Sequence, residues 1–265
     1  MGSSEQSAHS EAPAGPRVLS VTAMWRRLWG RMSRLDAAVT RLLGMLLLLG
    51  ACFLGFVALS DEVSEGETQD FDERVLRMLR DPKDPSVARG PWWLAVSAEE
   101  VTALGGVTVL VLVTLTVCGF LLLARRYRTL LLVLVATGGG VFLNSLLKQL
   151  FSRPRPSVVP HLTEVMTQSF PSGHAMLSAT VYLTLGGLLA QLAERRRLKA
   201  YVLGMSLLLP CMVGLTRVYL GVHYPTDVLA GWVAGLAWAL LTALGARALH
   251  RRSPELRAEA HKSVE

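Results

Sequence analysis

Leu42-Leu43-Gly44-Met45-Leu46-Leu47-Leu48-Leu49-Gly50-Ala51-Cys52-Phe53-Leu54-Gly55-Phe56-Val57-Ala58-Leu59 contains no charged residue. Wound as an α-helix at about 1.5 Å per residue, it reaches roughly 27 Å, close to the thickness of a bilayer's hydrocarbon core. Five more blocks of this kind follow, at approximately residues 101–124, 130–147, 175–192, 200–216 and 228–244. The chain of 265 residues is 51% hydrophobic, a level that soluble proteins also reach. What identifies membrane spans is the gathering of apolar residues into blocks with the charges left in the gaps. A soluble α/β domain would carry strands and turn clusters between its apolar runs, whereas these gaps hold arginine clusters. The expected fold is all-α, an integral membrane bundle of six transmembrane helices over residues 42–250.

A formal charge of +7 is compatible with nucleic-acid binding, but the placement of the cations excludes it. Arg26, Arg27, Arg31 and Arg34 precede the first span, and Arg125, Arg126 and Arg128 separate the second from the third. Arg195, Arg196, Arg197 and Lys199 separate the fourth from the fifth, and Arg247, Arg251 and Arg252 follow the sixth. The gap after the first span is instead rich in acid, with Asp61, Glu62, Glu65, Glu67, Asp70, Asp72 and Glu73. By the positive-inside rule both termini are expected in the cytoplasm, with the first, third and fifth connections outside.

Residues 1–23, rich in Ser, Glu, Ala, Gly and Pro, are expected to be disordered. Residues 24–41 read as a basic interfacial segment with Trp25 and Trp29, and residues 251–265 as a polar tail. In the acidic gap Phe71, Val75, Leu76 and Leu79 recur at helical spacing, which predicts a short amphipathic helix on the outer membrane face. Trp92 and Trp93 mark the headgroup layer before the second span. Cys52, Cys118 and Cys211 all fall inside predicted spans and read as packing residues rather than a disulfide or metal framework.

Three clusters lie at the outer ends of the last four spans. The first is Lys148-Gln149-Leu150-Phe151-Ser152-Arg153-Pro154-Arg155-Pro156. Cations at a helix end usually mark the membrane interface, but here they fall on the side that the charge rule makes external, and an anionic substrate accounts for them. The prolines end the third span near Leu150 and hold Arg153 and Arg155 on a stiff loop. The second cluster, Pro171-Ser172-Gly173-His174, begins the fourth span. Alone it reads equally as an ordinary helix start, with Ser172 as cap, or as an anion site made of outward backbone N–H groups. The third is Thr216-Arg217 with His223 and Asp227. Pro225 keeps Tyr224 extended, so His223 is expected just outside the sixth span with Asp227 in its first turn, where the carboxylate can orient the imidazole.

Together the three clusters resemble the pattern of the type 2 phosphatidic acid phosphatase superfamily, Lys-x6-Arg-Pro, Pro-Ser-Gly-His and Ser-Arg-x5-His-x3-Asp. Lys148, Arg155, Pro156, Pro171 to His174, Arg217, His223 and Asp227 match it, and Thr216 stands where that family usually has Ser. The resemblance implies that Lys148, Arg155 and Arg217 bind phosphate oxygens and that Ser172 and Gly173 add hydrogen bonds. It further implies that His223 attacks phosphorus, Asp227 orients it and His174 protonates the leaving oxygen. Such a site uses no metal and no cofactor, since three cations and helix N–H groups can carry the charge spread over phosphoryl oxygens. Zinc bound by His174 and His223 is disfavoured by the adjacent Arg155 and Arg217.

The expected activity is therefore hydrolysis of a lipid phosphate or diphosphate, of the phosphatidate, phosphatidylglycerophosphate or undecaprenyl diphosphate type, through a phosphohistidine. The alternatives are a lipid phosphotransferase with the same site and an inactive membrane scaffold, which would have no need of two histidines and an orienting acid. The partners are the lipid substrate and the bilayer, in a bacterial inner membrane, with the site on the periplasmic face. A reporter fused after Arg252 is expected to behave as cytoplasmic, and Ser157→Cys to be labelled from outside by an impermeant thiol reagent; the reverse pattern would overturn this orientation.

Overall fold

In hydrocarbon every backbone N–H and C=O must be satisfied within its own segment, so the apolar blocks can only be helical. The computed structural model describes residues 21–165 and 167–262. Its helices are α1 (Val21–Glu65), α2 (Gln69–Met78), α3 (Trp92–Ala103), α4 (Val107–Leu123), α5 (Tyr127–Phe151), α6 (Gly173–Leu192), α7 (Arg196–Tyr219) and α8 (Pro225–Lys262). Five stretches are long and apolar enough to cross a bilayer: Val39–Glu65, Tyr127–Phe151, Gly173–Leu192, Arg196–Tyr219 and Pro225–Leu249. Helices α3 and α4, bent by 42° at their junction, are together long and apolar enough to count as a sixth. The all-α, six-span membrane fold read from the sequence is the fold observed.

Contacts divide the chain into Met1–Gly44, of which the N-terminal part of α1 is described, and Met45–Glu265, which holds the whole candidate site. Of the tail expected to be disordered, residues 1–20 lie outside the described residues. The segment 24–41 belongs to α1 and is continuous with the first span, and the polar stretch after 250 extends α8 to Lys262, with residues 263–265 outside the described set.

The second span differs from expectation. The sequence predicts one helix over 101–124; the structure starts α3 at Trp92 and breaks it after Ala103. The cause is packing at Gly105. A Cβ there would lie 2.4 Å from Val213 Cγ1 and 3.1 Å from the carbonyl oxygen of His174. The bare backbone at the break thus lets α3 and α4 close over the start of α6.

Helix α6 is the centre of the bundle, packed on α5, α7 and α8, and its residues Ala175 to Val181 are all buried. Two glycines one turn apart on α8 let the α6 backbone come into contact. A Cβ on Gly231 would be 2.7 Å from the Ser172 carbonyl oxygen, and one on Gly235 would be 2.5 Å from that of Met176. Small residues at this spacing are the usual route to close helix packing in membranes. The Ser172 amide consequently donates to the Asp227 carbonyl at 2.9 Å, which joins the N-termini of α6 and α8.

Helix α2 buries Leu76 against Val159, Val218, Tyr224 and Val228, with Val75 and Leu79 packed alongside. Phe71, expected on the same apolar face, points outward, and Asp72 is buried in its place. The helix therefore packs onto the ends of the bundle instead of lying free on the membrane. Just beyond it Arg80 donates to the carbonyls of Tyr219 at 2.8 Å and Pro160 at 3.3 Å. That single guanidinium ties the first, third and fifth connections together at one end.

Replacing a helical glycine by alanine ordinarily adds up to about 1 kcal/mol of helix stability. Gly231→Ala is expected to do the opposite and destabilise by about 1–3 kcal/mol through forced separation of α6 and α8. Gly55→Ala, where a Cβ meets nothing within 4 Å, is the control. Thermal unfolding in detergent that ranks Gly231→Ala at or above the parent would refute the close-packing account.

Candidate active site

Each cation of the candidate site is set by a helix end. Lys148 occupies the last turn of α5, which stops at Phe151 with Ser152 in the left-handed region at φ 45°. Its ammonium donates to the Gln168 carbonyl and, at 3.4 Å, to Thr167 Oγ1. Arg155, on the proline-stiffened loop, donates through Nε to the Thr167 carbonyl at 2.6 Å and through Nη1 to the Val222 carbonyl at 2.6 Å. Burial lowers its pKa. Arg217, in the last turn of α7, donates to Thr102 Oγ1 at 3.3 Å, and its buried Nε has no partner among the described residues.

Among the described residues none of these three cations forms an ion pair with a carboxylate. They are close enough to feel one another's charge. Like charges gathered out of water are costly, and the arrangement is stable only where an anion balances them. The candidate site is thus a cluster of three cations.

The start of α6 faces the same place. Ser172 occupies the N-cap position, but its hydroxyl makes no bond to the helix, contrary to the capping expected from sequence. Ser172 is fully buried, and its hydroxyl has no partner among the described residues. At Gly173 a Cβ would sit 3.3 Å from the Asn144 amide and 3.6 Å from Lys148 Cε, so a side chain would press on Asn144 and touch the lysine. His174 follows in the first turn of α6, beneath Gly105 and within electrostatic reach of Arg217, His223, Arg155 and Lys148.

His223 lies two residues before α8 and is buried. Its Nδ1 is 3.5 Å from Asp227 Oδ2, and its Nε2 is 3.3 Å from Arg155 Nη1. A guanidinium can only donate, so Nε2 must accept, which leaves the proton on Nδ1 facing Asp227. This tautomer keeps the Nε2 lone pair directed at the cations. Burial lowers the His223 pKa to about 3 despite the nearby Asp227, so the imidazole is neutral near pH 7.

Asp227 is more heavily engaged than the sequence implied. Its Oδ1 accepts from Arg153 Nη1 at 2.7 Å, and its Oδ2 accepts from Ser169 Oγ at 2.5 Å and from the Tyr224 amide at 2.9 Å. Arg153 therefore parts from Arg155: one serves the carboxylate, the other stays with the histidine. Sequence reading missed Ser169, Thr102, Asp72 and the role of Arg153, since none has a spacing signal. Thr216 turns its hydroxyl back to the Val213 carbonyl at 2.7 Å, away from the cations. His161, outside the cluster, bonds the Pro156 carbonyl at 2.7 Å.

Comparison with known proteins places the chain in a family. The family model described as the PAP2 superfamily matches residues 129–251. Phosphatidylglycerophosphatase B of Bacillus subtilis (strain 168) is 32% identical over 188 residues, which cover 69% of this chain and 87% of that protein. The chain belongs to the PAP2 superfamily. It is a membrane phosphatase of that family. The crystal structure of a transmembrane PAP2 type phosphatidylglycerolphosphate phosphatase from Bacillus subtilis superposes with a TM-score of 0.65 at 30% identity, covering 74% of this chain and 94% of the other. Undecaprenyl-diphosphatase of Sulfolobus acidocaldarius is 30% identical over 129 residues, 46% of this chain and 58% of that one. Asp72 and α2 lie outside the region that the PAP2 family model matches.

A hydrogen bond to a buried charged group typically contributes about 1.5–3 kcal/mol. Ser169→Ala is expected to lower stability by about that amount and to reduce turnover less than Asp227→Asn, because Arg153 and the Tyr224 amide still hold the carboxylate. Equal stability and turnover in Ser169→Ala and the parent, measured by thermal unfolding and phosphate release, would remove Ser169 from the site.

Proposed function

We propose that this enzyme releases phosphate from a lipid phosphate or diphosphate, with phosphatidylglycerophosphate the first substrate to test. The observation that carries the proposal is the accepting Nε2 of His223 beside Arg155, one of three cations that form no carboxylate ion pair among the described residues. Lys148, Arg155 and Arg217 hold the non-bridging phosphoryl oxygens, and the Ser172 hydroxyl and the N–H groups at the start of α6 complete the cradle. Nε2 attacks phosphorus, the P–O bond to the lipid breaks, and His174 gives its proton to the departing oxygen. The phosphorylated imidazole is a cation with its N–H on Asp227, which the carboxylate stabilises. Water then attacks phosphorus, His174 takes its proton, and inorganic phosphate leaves with Nε2 restored.

The site lies at helix ends, at the level of lipid headgroups, so a lipid reaches it by lateral diffusion. We place it on the periplasmic side of a bacterial inner membrane, since the arginine-rich connections lie at the opposite ends of the spans. With three cations in place, activity should survive EDTA and be inhibited by vanadate, whose trigonal-bipyramidal oxyanion copies the transition state.

The two histidines should fail at different steps. With phosphate-labelled lipid and an acid-free quench, His223→Ala should neither retain label nor release phosphate. His174→Ala should lose about a hundred- to ten-thousandfold on a monophosphate, whose alkoxide needs protonation, and less on a diphosphate, whose leaving group is already stabilised. Label accumulating on His223→Ala, or full activity on the panel of phosphatidate, phosphatidylglycerophosphate and undecaprenyl diphosphate without either histidine, would refute the mechanism.

A further inference from the structure

Outside the cation cluster the structure holds a second buried charged group. Asp72, in the first turn of α2, is completely buried, and its Oδ2 accepts from Arg153 Nη2 at 2.9 Å. The other end of the same guanidinium donates to Asp227 at 2.7 Å. Thr226 binds the junction from α8: its amide donates to Asp72 Oδ1 at 3.1 Å and its hydroxyl to Asp72 Oδ2 at 2.5 Å, while the hydroxyl oxygen accepts from Arg153 Nη1 at 2.9 Å. The Tyr224 ring covers the guanidinium 4.2 Å from its centroid. Burial opposes the charge on Arg153, but Asp227 and Asp72 outweigh it and raise its pKa.

We infer that Asp72 and Arg153 are positioning residues for the reaction: through them α2 fixes the place and the charge of the Asp227 carboxylate behind His223. The inference rests on the assignment of His223 and Asp227 proposed above. Two effects combine. Asp72 accepts the Thr226 amide and so seats the first turn of α8 one residue before Asp227, which sets the direction of the carboxylate. Asp72 also shares the Arg153 charge. One guanidinium between two buried carboxylates leaves the group with a net negative charge, so Asp227 keeps enough charge to stabilise the phosphorylated imidazole. Were Arg153 to pair with Asp227 alone, the guanidinium would cancel that charge.

A salt bridge that merely held α2 in place would be expected to affect binding and folding, and not to depend on Asp227. A positioning role predicts otherwise. Turnover should fall in Asp72→Asn by about tenfold or more, the scale on which outer partners of reactive groups act, with KM little changed. The inhibition constant of inorganic phosphate, which reports the three cations, should stay at the parent value. In an Asp227→Asn background, Asp72→Asn should cost nothing further, because residues that act as one unit are not additive. Arg153→Lys, which keeps a buried positive charge but cannot fork between two carboxylates, should show the same loss of kcat and the same phosphate constant, and it decides the matter if Asp72→Asn does not fold.

The experiment is steady-state phosphate release and phosphate inhibition on the purified full-length parent, Asp72→Asn, Arg153→Lys, Asp227→Asn and the Asp72→Asn/Asp227→Asn double variant. Parent-like kcat in folded Asp72→Asn or Arg153→Lys, a phosphate constant that weakens in step with kcat, or an undiminished effect of Asp72→Asn in the Asp227→Asn background would each overturn the inference. Full turnover by Asp227→Asn alone would instead overturn the assignment of Asp227 on which it rests.

Discussion

The contact between the backbones of α6 and α8 is the constraint on which the rest of the site depends. Gly231 and Gly235 remove the side chains that would separate the helices, and the Ser172 amide then reaches the carbonyl of Asp227. Two helix N-termini meet at one point as a result. Each brings the positive end of its dipole, and at α8 the Thr226 N–H is already taken by Asp72. A third close approach, at Gly105, bends the span built from α3 and α4 over His174. Helix packing alone thus builds a floor from the starts of α6 and α8 before any cationic side chain is added.

The charged residues around that floor divide into two groups. Arg153 is shared by Asp72 and Asp227 and is balanced within the protein. Lys148, Arg155 and Arg217 form no carboxylate ion pair among the described residues and are held by carbonyls and threonine hydroxyls, which orient cations without neutralising them. A carboxylate placed beside any of the three would compete with phosphate for the same charge. His223 stands at the boundary, with Nδ1 toward the balanced group and Nε2 toward the unbalanced one. That division lets one imidazole be oriented by an anion on one side and meet an anion on the other.

Much of this is legible in the sequence because membrane spans and phosphate sites both leave local signals. The uncharged runs announce the spans, since hydrocarbon penalises every charge, and Lys148, Arg155, Arg217, His174, His223 and Asp227 stand out as polar residues at span ends. The bend after Ala103 is not legible. Leu104-Gly105-Gly106 sits in an apolar run, and only the approach of Val213 and His174 explains why the helix stops there. The missing cap is not legible either: Ser172 satisfies the sequence rule for an N-cap, yet its amide bonds the Asp227 carbonyl of α8 and its hydroxyl makes no bond to the helix.

Asp72 shows why such limits arise. In sequence it is one of several acids in the first external connection, indistinguishable from Asp70 or Glu73, and a periodic reading of α2 places Phe71 on the buried face. The structure keeps Val75, Leu76 and Leu79 inward but exposes the phenyl ring and buries a carboxylate. Burial of an isolated carboxylate would cost several kcal/mol, so hydrophobic patterning alone excludes that choice. It becomes favourable only when Arg153, Thr226 and Tyr224 are already in place, and all three arrive from other connections. A pattern within one helix cannot record a partner supplied by another. The side chain that departs most from its local pattern is therefore the one that ties α2 to Asp227.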